Sequence, residues 1–335
     1  MLELSIDNAE AYVRDRGWVK PDEPAAVSFL GGGVSNIVLK VKTPRQCFVI
    51  KQALPKLRVQ MEWRARIERI IIERDALKTL STILPDGDVP RVMYDDPGNY
   101  TFAMSCAPDD AKNWKTELME GRIEPWVAEE AGRMLGRIHR QCETDKSVHV
   151  RFADNEHFIE LRTDPYFVTV AIRHPDLKPV VDAEIKAVLK TKWTLVHGDY
   201  SPKNILICDN PRHLLLLDCE VAHIGHPAFD AAFCLNHLCL KSVKFPERKV
   251  AYLDSARRFW HVYTTEFATS KLAELSQRTV MQLGLMQLAR VDGKSPAEYL
   301  TEPEKKERVR RIGRGLVTQR PRTVEEAITF IEAES

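Results

Sequence analysis

The fold class predicted by this sequence is α+β in two lobes, a strand-rich first third followed by a mainly helical remainder. Three observations predict it. Apolar residues alternate along the segments between Ala26 and Lys51, as they do on half-buried strands. From about Pro125 onward they recur at helical spacing. Between the two textures lies Ser105-Cys106-Ala107-Pro108-Asp109-Asp110, where proline and turn formers follow a strand in the manner of a hinge. The expected organisation is a lobe over residues 1–104 and a helical lobe over residues 105–335.

Element by element, the chain opens with a short helix from Asn8 to Arg16, capped by Asp7 or Asn8 and stopped by Gly17. Strands follow over Ala26–Leu30, Asn36–Val41 and Gln46–Lys51, the last two expected as antiparallel neighbours. Ile67, Ile70, Ile71, Leu77 and Leu80 share one face of a helix predicted over Met61–Leu80. Two more strands are expected near Pro90–Tyr94 and Tyr100–Ser105. Pro125 opens the next helix, where its missing N–H does no harm, and Val127, Ala131, Met134, Leu135 and Ile138 form its buried stripe. A strand pair, Trp193–Val196 and Ile205–Cys208, then brackets the segment His197 to Asn204; Leu214–Leu217 reads as a further strand.

Composition excludes several classes. Of 335 residues, 44% are hydrophobic and 29% charged, which is ordinary for a core-forming chain and rules out a disordered or fibrous one. Lys plus Arg total 49 against 48 Asp plus Glu, so no excess of positive charge points to nucleic acid. No apolar run approaches the ~20 residues of a membrane span, and acidic residues stand where a secretory signal would carry a basic head. Seven scattered cysteines without a Cys-x-x-Cys pair argue against a disulfide framework, so a cytoplasmic location is expected. His223-x-x-His226 and Cys234-x-x-His237-x-Cys239 have zinc-type spacing, but a buried helix over Phe229–Leu240 would point those side chains in several directions.

The chemistry concentrates in His197-Gly198-Asp199-Tyr200-Ser201-Pro202-Lys203-Asn204, with Asp218 fourteen residues beyond Asn204 at the end of a four-leucine strand. Phosphoryl transfer accounts for such a set. The protein has little covalent work to do, so it aligns a hydroxyl nucleophile and neutralises phosphate charge through metal ions. One carboxylate accepts the hydroxyl proton, while an amide oxygen and a second carboxylate hold the ions. Asp199 to Asn204 has the spacing of the protein-kinase catalytic loop, and Asp218 stands where that family has its later metal-binding Asp. Phe48-Val49-Ile50-Lys51 resembles the strand that presents the phosphate-pairing lysine. Glu73, three residues after Ile70 and four before Leu77, is placed to turn inward toward Lys51, whereas Glu68 points to the opposite face.

These motifs together resemble the aminoglycoside phosphotransferase and choline kinase family, small-molecule relatives of protein kinases. His197-Gly198-Asp199 stands for the His-Gly-Asp loop, Asp218-Cys219-Glu220 for the Asp-x-Glu element, and Gly225-His226-Pro227-Ala228-Phe229-Asp230 for the following Gly-x-Pro-x-x-Asp segment. The resemblance implies a bilobal protein-kinase-like fold, with a small antiparallel-sheet lobe covering ATP and a larger helical lobe binding the acceptor. It implies ATP and Mg2+ as cofactors and the hydroxyl of a small molecule as acceptor, with no nucleic acid and no membrane as partner. Asp199 is then the base, Asn204 and Asp218 the metal ligands, and Glu220 a contact to metal or acceptor. His197 and Asp230 support the loop. Gly31, Gly32, Gly33, Ser35 and Asn36 form the phosphate-covering turn, although they depart from Gly-x-Gly-x-x-Gly and by themselves read as a simple hairpin. Lys51 and Glu73 complete the nucleotide contacts, with Met104 to Cys106 at the hinge that recognises adenine.

Lys51-Gln52-Ala53-Leu54-Pro55 and Trp63-Arg64-Ala65-Arg66 are further similar to segments of methylthioribose kinases. Downstream that likeness weakens, and a methylthioribose-type sugar kinase stands as one specific reading. A nucleotide-binding module without turnover is the non-enzyme reading; it would be expected to lack one of Lys51, Asp199, Asn204 or Asp218, and all four are present. An acidic acceptor cleft, to which Glu325, Glu326, Glu332 and Glu334 could contribute, would suit a polycationic aminoglycoside.

Overall fold

Alternation of apolar residues in the first third is resolved as a sheet in a computed structural model, which describes residues 2–31, 36–54 and 66–335. The strands are β1 (Ala26–Phe29), β2 (Asn36–Lys42), β3 (Cys47–Ala53), β4 (Val92–Asp96) and β5 (Thr101–Ser105), in the order β1-β2-β3-β5-β4 with every pairing antiparallel. β3 lies at the centre, and six of its seven residues are buried. Phe48 and Ile50 project to one face, into a cluster with Leu39, Val41, Trp18 and Tyr12. The period of two sends Lys51 to the opposite face. Helix α1 (Ile6–Asp15) contributes Ala9, Tyr12 and Val13 to the first face. Its cap is Ser5, with Asn8 completing a capping box, so the expected caps Asp7 and Asn8 are corrected: Asn8 acts from inside the first turn.

Helix α2 (Arg69–Leu80) is shorter than the predicted Met61–Leu80; residues 66–68 are not helical, and residues 61–65 lie outside the described residues. Its buried face includes Arg69, Ile70, Glu73, Ala76, Leu77 and Leu80 at spacings of one, three, three, one and three. The expectation of unpaired cysteines also needs correction. Cys47 and Cys106 form a disulfide with Cα atoms 5.6 Å apart. The β3–β5 register pairs Phe48 with Ser105, so the next residue outward on each strand faces the other. The remaining five cysteines are free and buried.

The chain divides into two compact units. The first comprises Met1–Asp110 together with Leu217–Glu220, and the second Ala111–Leu216 with Val221–Ser335. The second unit is mainly helical, which completes the expected α+β class. Its helix Pro125–Cys142 begins at the predicted proline and packs on the helix Lys249–Thr264. A Cβ at Gly132 would meet the Phe259 carbonyl oxygen at 2.4 Å, so only glycine allows that approach.

Short strands frame the loop of interest. They are β6 (Lys112–Asn113), β7 (Thr194–Val196), β8 (Ile205–Asp209), β9 (Arg212–Leu216) and β10 (His223–Gly225). The expected pairing of 193–196 with 205–208 does not occur. β7 pairs with β10, and β8 lies between β6 and β9. The physical reason is that β8 and β9 form a hairpin, which satisfies β8 locally, while the return of the chain to His223 supplies β7. Among the described residues no helix is long and apolar enough to cross a membrane.

Candidate active site

In the first unit the Lys51 ammonium is held between two carboxylates, donating to Glu73 Oε1 at 2.6 Å and to Asp218 Oδ1 at 2.5 Å. β3 aims Lys51 at α2, and the helical period brings Glu73 to the same point. Glu73 is fully buried and Lys51 nearly so. Burial pushes the Glu73 carboxyl up to about 7 against the opposing pull of Lys51. Burial also acts to lower Lys51, but the charges of Asp218, Glu73 and Glu220 hold it above the ordinary lysine range. Glu220 Oε2 accepts from Asn36 Nδ2 at 2.9 Å and from Arg69 Nε at 3.2 Å. Arg69, fully buried, is anchored by donating to the carbonyls of Leu54 and Arg66 at 2.8 and 2.7 Å.

Glu73, Asp218 and Glu220 place one oxygen each within 4.8 Å of one another. An oxygen-only donor set of this kind fits a hard divalent cation such as Mg2+. One oxygen of Glu73, Oε2, is buried without a hydrogen-bond partner, which an added cation or its water would relieve. Asp218 adopts a left-handed backbone, φ 68°, a conformation that Asp tolerates better than most side chains.

In the second unit the loop after β7 is built around Asp230, a fully buried residue in the first turn of the helix Ala228–Lys244. Its oxygens accept from the backbone N–H of His197 at 2.6 Å and of Gly198 at 2.8 Å, and His139 Nε2 lies 3.2 Å away. His197 Nδ1 accepts from the Asp199 N–H at 3.1 Å, so this histidine braces the turn. Asp199 Oδ2 accepts from Asn204 Nδ2 at 2.8 Å and pairs with Lys203 at 2.9 Å and Arg162 at 3.0 Å. Because the Asn204 amide nitrogen serves Asp199, its Oδ1 is the atom left to meet a cation.

Gly198 has φ +78°, and a Cβ there would sit 2.6 Å from Val221 Cγ2 and 2.9 Å from the Val221 carbonyl oxygen. Gly198→Ala is therefore expected to destabilise the protein by about 2 kcal/mol or more through backbone strain and overpacking. Urea unfolding measures this, and a midpoint equal to that of the wild type contradicts it.

The predicted residues thus fall into two groups. Lys51, Glu73, Asp218, Glu220 and Asn36 come together in the first unit; His197, Asp199, Asn204 and Asp230 come together in the second. Gly31 is exposed, while Gly32, Gly33 and Ser35 lie outside the described residues. Met104 pairs with Val49 and Val92 within the sheet, and Cys106, disulfide-bonded, donates its N–H to the Cys47 carbonyl at 3.4 Å. A cavity of about 500 Å3, lined by residues such as Glu184, Arg278, Leu316 and Arg322, includes none of the predicted site residues.

Two arginines escaped the sequence reading. Arg69 was readable, since it shares α2's buried stripe and lies four residues before Glu73. Arg162 was not. It sits in Ile159–Val168, a wide-turn helix interrupted by Pro165, with no motif around it.

The chain belongs to the phosphotransferase enzyme family, whose sequence model matches residues 26–263. A methylthioribose kinase of Escherichia coli O45:K1 (strain S88 / ExPEC) is 27% identical over 279 residues, covering 72% of this chain. The match spans 66% of that relative, just under two thirds of its length. Among solved structures, the streptomycin-ATP-APH(2")-IIa ternary complex is similar with a TM-score of 0.53 and 13% identity, covering 95% of this chain and 99% of that one. A choline/ethanolamine kinase family protein from Mesorhizobium loti has a TM-score of 0.52 and 12% identity, covering 98% and 99% respectively. At those identities the structural likeness shows a shared fold.

Proposed function

We propose that this protein transfers the γ-phosphate of ATP, with Mg2+, to a hydroxyl group of a small molecule in the cytoplasm. The observation that carries the reading is the Lys51 ammonium, buried and shared by Glu73 and Asp218. A lysine so placed is presented to phosphate oxygens with its orientation held by Glu73. Asp199 acts as the base that receives the acceptor proton. Lys203 and Arg162 keep its carboxylate oriented. Asp218 and Asn204 are the proposed magnesium ligands and Glu220 a contact to metal or acceptor; the ion when bound supplies neutralisation of phosphate charge. The segment 1–104 covers the nucleotide, with Met104 and Cys106 near adenine; residues 105–335 bind the acceptor.

The test is a coupled ADP-release screen across sugars, amino alcohols, hydroxy acids and aminoglycosides. At least one acceptor is expected to release ADP in a magnesium-dependent way. Lys51→Met is expected to raise the KM for ATP at least tenfold, since the phosphate loses its charged partner. An unchanged KM contradicts the role. If magnesium-ATP binds and no acceptor across the panel is phosphorylated, the protein is a nucleotide-binding module without turnover. The second reading, a methylthioribose-type sugar kinase, is favoured by the 27% identical relative and predicts release with methylthioribose alone among the sugars.

A further inference from the structure

Within the second unit two buried cations are short of carboxylates: among the described residues Arg290 has Glu298 at 4.0 Å and Lys241 has none. Lys241, on the helix Ala228–Lys244, is 0% exposed, and its Nζ donates only to the His237 carbonyl at 3.2 Å. No carboxylate among the described residues pairs with it. Its ammonium lies 5.4 Å from the centre of the Tyr299 ring, and the Tyr299 hydroxyl is buried without a partner. Arg290 is 7% exposed; it donates to Ser295 and, at 3.5 Å, to the Tyr166 hydroxyl, while its Nε is buried and unpartnered. Two buried donors without acceptors, beside a buried ammonium whose one hydrogen bond is to a neutral carbonyl, mark an acceptor that the described residues do not supply.

Direct contacts tie this place to the loop that holds Asp199. Arg162, 3.0 Å from Asp199, lies over the Phe233 ring. Phe233 packs on Tyr166, whose hydroxyl meets Arg290, and on His237, one turn before Lys241 on the same helix. Three of the four acids that could have served a cationic acceptor are engaged elsewhere. Glu332 pairs with Arg257, Glu334 with Arg311, and Glu326 accepts from the Arg322 N–H. Arg310 and Arg311 are occupied as well, Arg310 by Asp292 and Arg311 by Glu334.

Resting on the kinase reading above, we infer that the hydroxyl acceptor is an anion, a carboxylate or phosphate ester held by Lys241, Arg290 and Tyr299 near Asp199. A neutral sugar or a polycation would leave the buried ammonium unmatched, whereas an anionic group supplies the missing partner and cancels the cost of its burial. Burial, with Lys115 and Arg290 close by, lowers Lys241 to about 7; Cys234 and Glu298 act weakly in the other direction. Binding of an anion favours the charged lysine, so affinity should fall as pH rises from 7 toward 9.

Calorimetric titration of the full chain tests this, with and without magnesium-ADP. The probes are glycerate and glycerol 3-phosphate as the carboxylate and phosphate arms, against glycerol and choline. The expected result is binding of at least one anionic probe, at least tenfold tighter than either control and weaker at pH 9 than at pH 7. Lys241→Met, which removes the charge at similar size, should cost that probe tenfold or more. Tyr299→Phe gives a second variant and should weaken it several-fold. Tighter binding of glycerol or choline, or anion affinity unchanged in both variants, overturns the inference. A separate magnesium-ATP titration of the wild type keeps the two readings apart: failure to bind ATP removes the kinase reading, while the anion site stands or falls on the other probes.

Discussion

Asp199→Asn is expected to lower kcat by about a hundred- to ten-thousandfold, the range that a positioned general base contributes. The amide keeps the shape and the hydrogen-bonding oxygen, so Lys203 and Arg162 retain a neighbour, but it cannot take the acceptor proton. The loss should therefore appear in kcat, with magnesium-ATP affinity held within a few-fold. Steady-state kinetics with any acceptor identified in the ADP-release screen measure both. Activity within threefold of the wild type would remove Asp199 from the mechanism and leave the loop a structural feature.

Asp230→Ala should be the most destabilising single change in the second unit. The carboxylate is fully buried, accepts from two backbone N–H groups at 2.6 and 2.8 Å, and faces His139 Nε2 at 3.2 Å. Truncation strands those donors where water does not reach them, at about 1–3 kcal/mol for each orphaned group. A loss of about 3–5 kcal/mol is expected, a large part of the stability of an ordinary domain. Asp230→Asn should recover only part of it, because its NH2 confronts one of the two backbone donors. Chemical denaturation compares the variants, and a loss under 1 kcal/mol for the alanine would show that the His197–Gly198 turn holds its shape by other means. Activity should fall along with stability, since the same turn aims Asp199.

Much of this was legible from residue order. The alternation in Phe48-Val49-Ile50-Lys51 put the lysine on the face away from the aromatic core, and the three- and four-residue steps around Glu73 turned that carboxylate inward. Both inferences need only the local period of a strand or helix, which neighbouring residues carry. The loop from His197 to Asn204 was legible for a related reason: two of its bonds, Asp199 to Asn204 and His197 to Asp199, run between residues at most five apart.

What could not be read from residue order shares one property, a partner distant along the chain. Cys47 meets Cys106 because β3 and β5 adopt a register in which Phe48 opposes Ser105, and nothing near either cysteine announces that register. Thr194–Val196 pairs with His223–Gly225, past a hairpin that lies between them in sequence. Arg162 reaches Asp199 from a proline-bearing wide helix, and Lys241 is buried where no carboxylate among the described residues pairs with it. Local pattern follows from the torsional preferences of adjacent residues and is written wherever they stand. Long-range partnership is chosen by the core as it closes, when burial makes each unpaired charge or donor costly enough to select among registers.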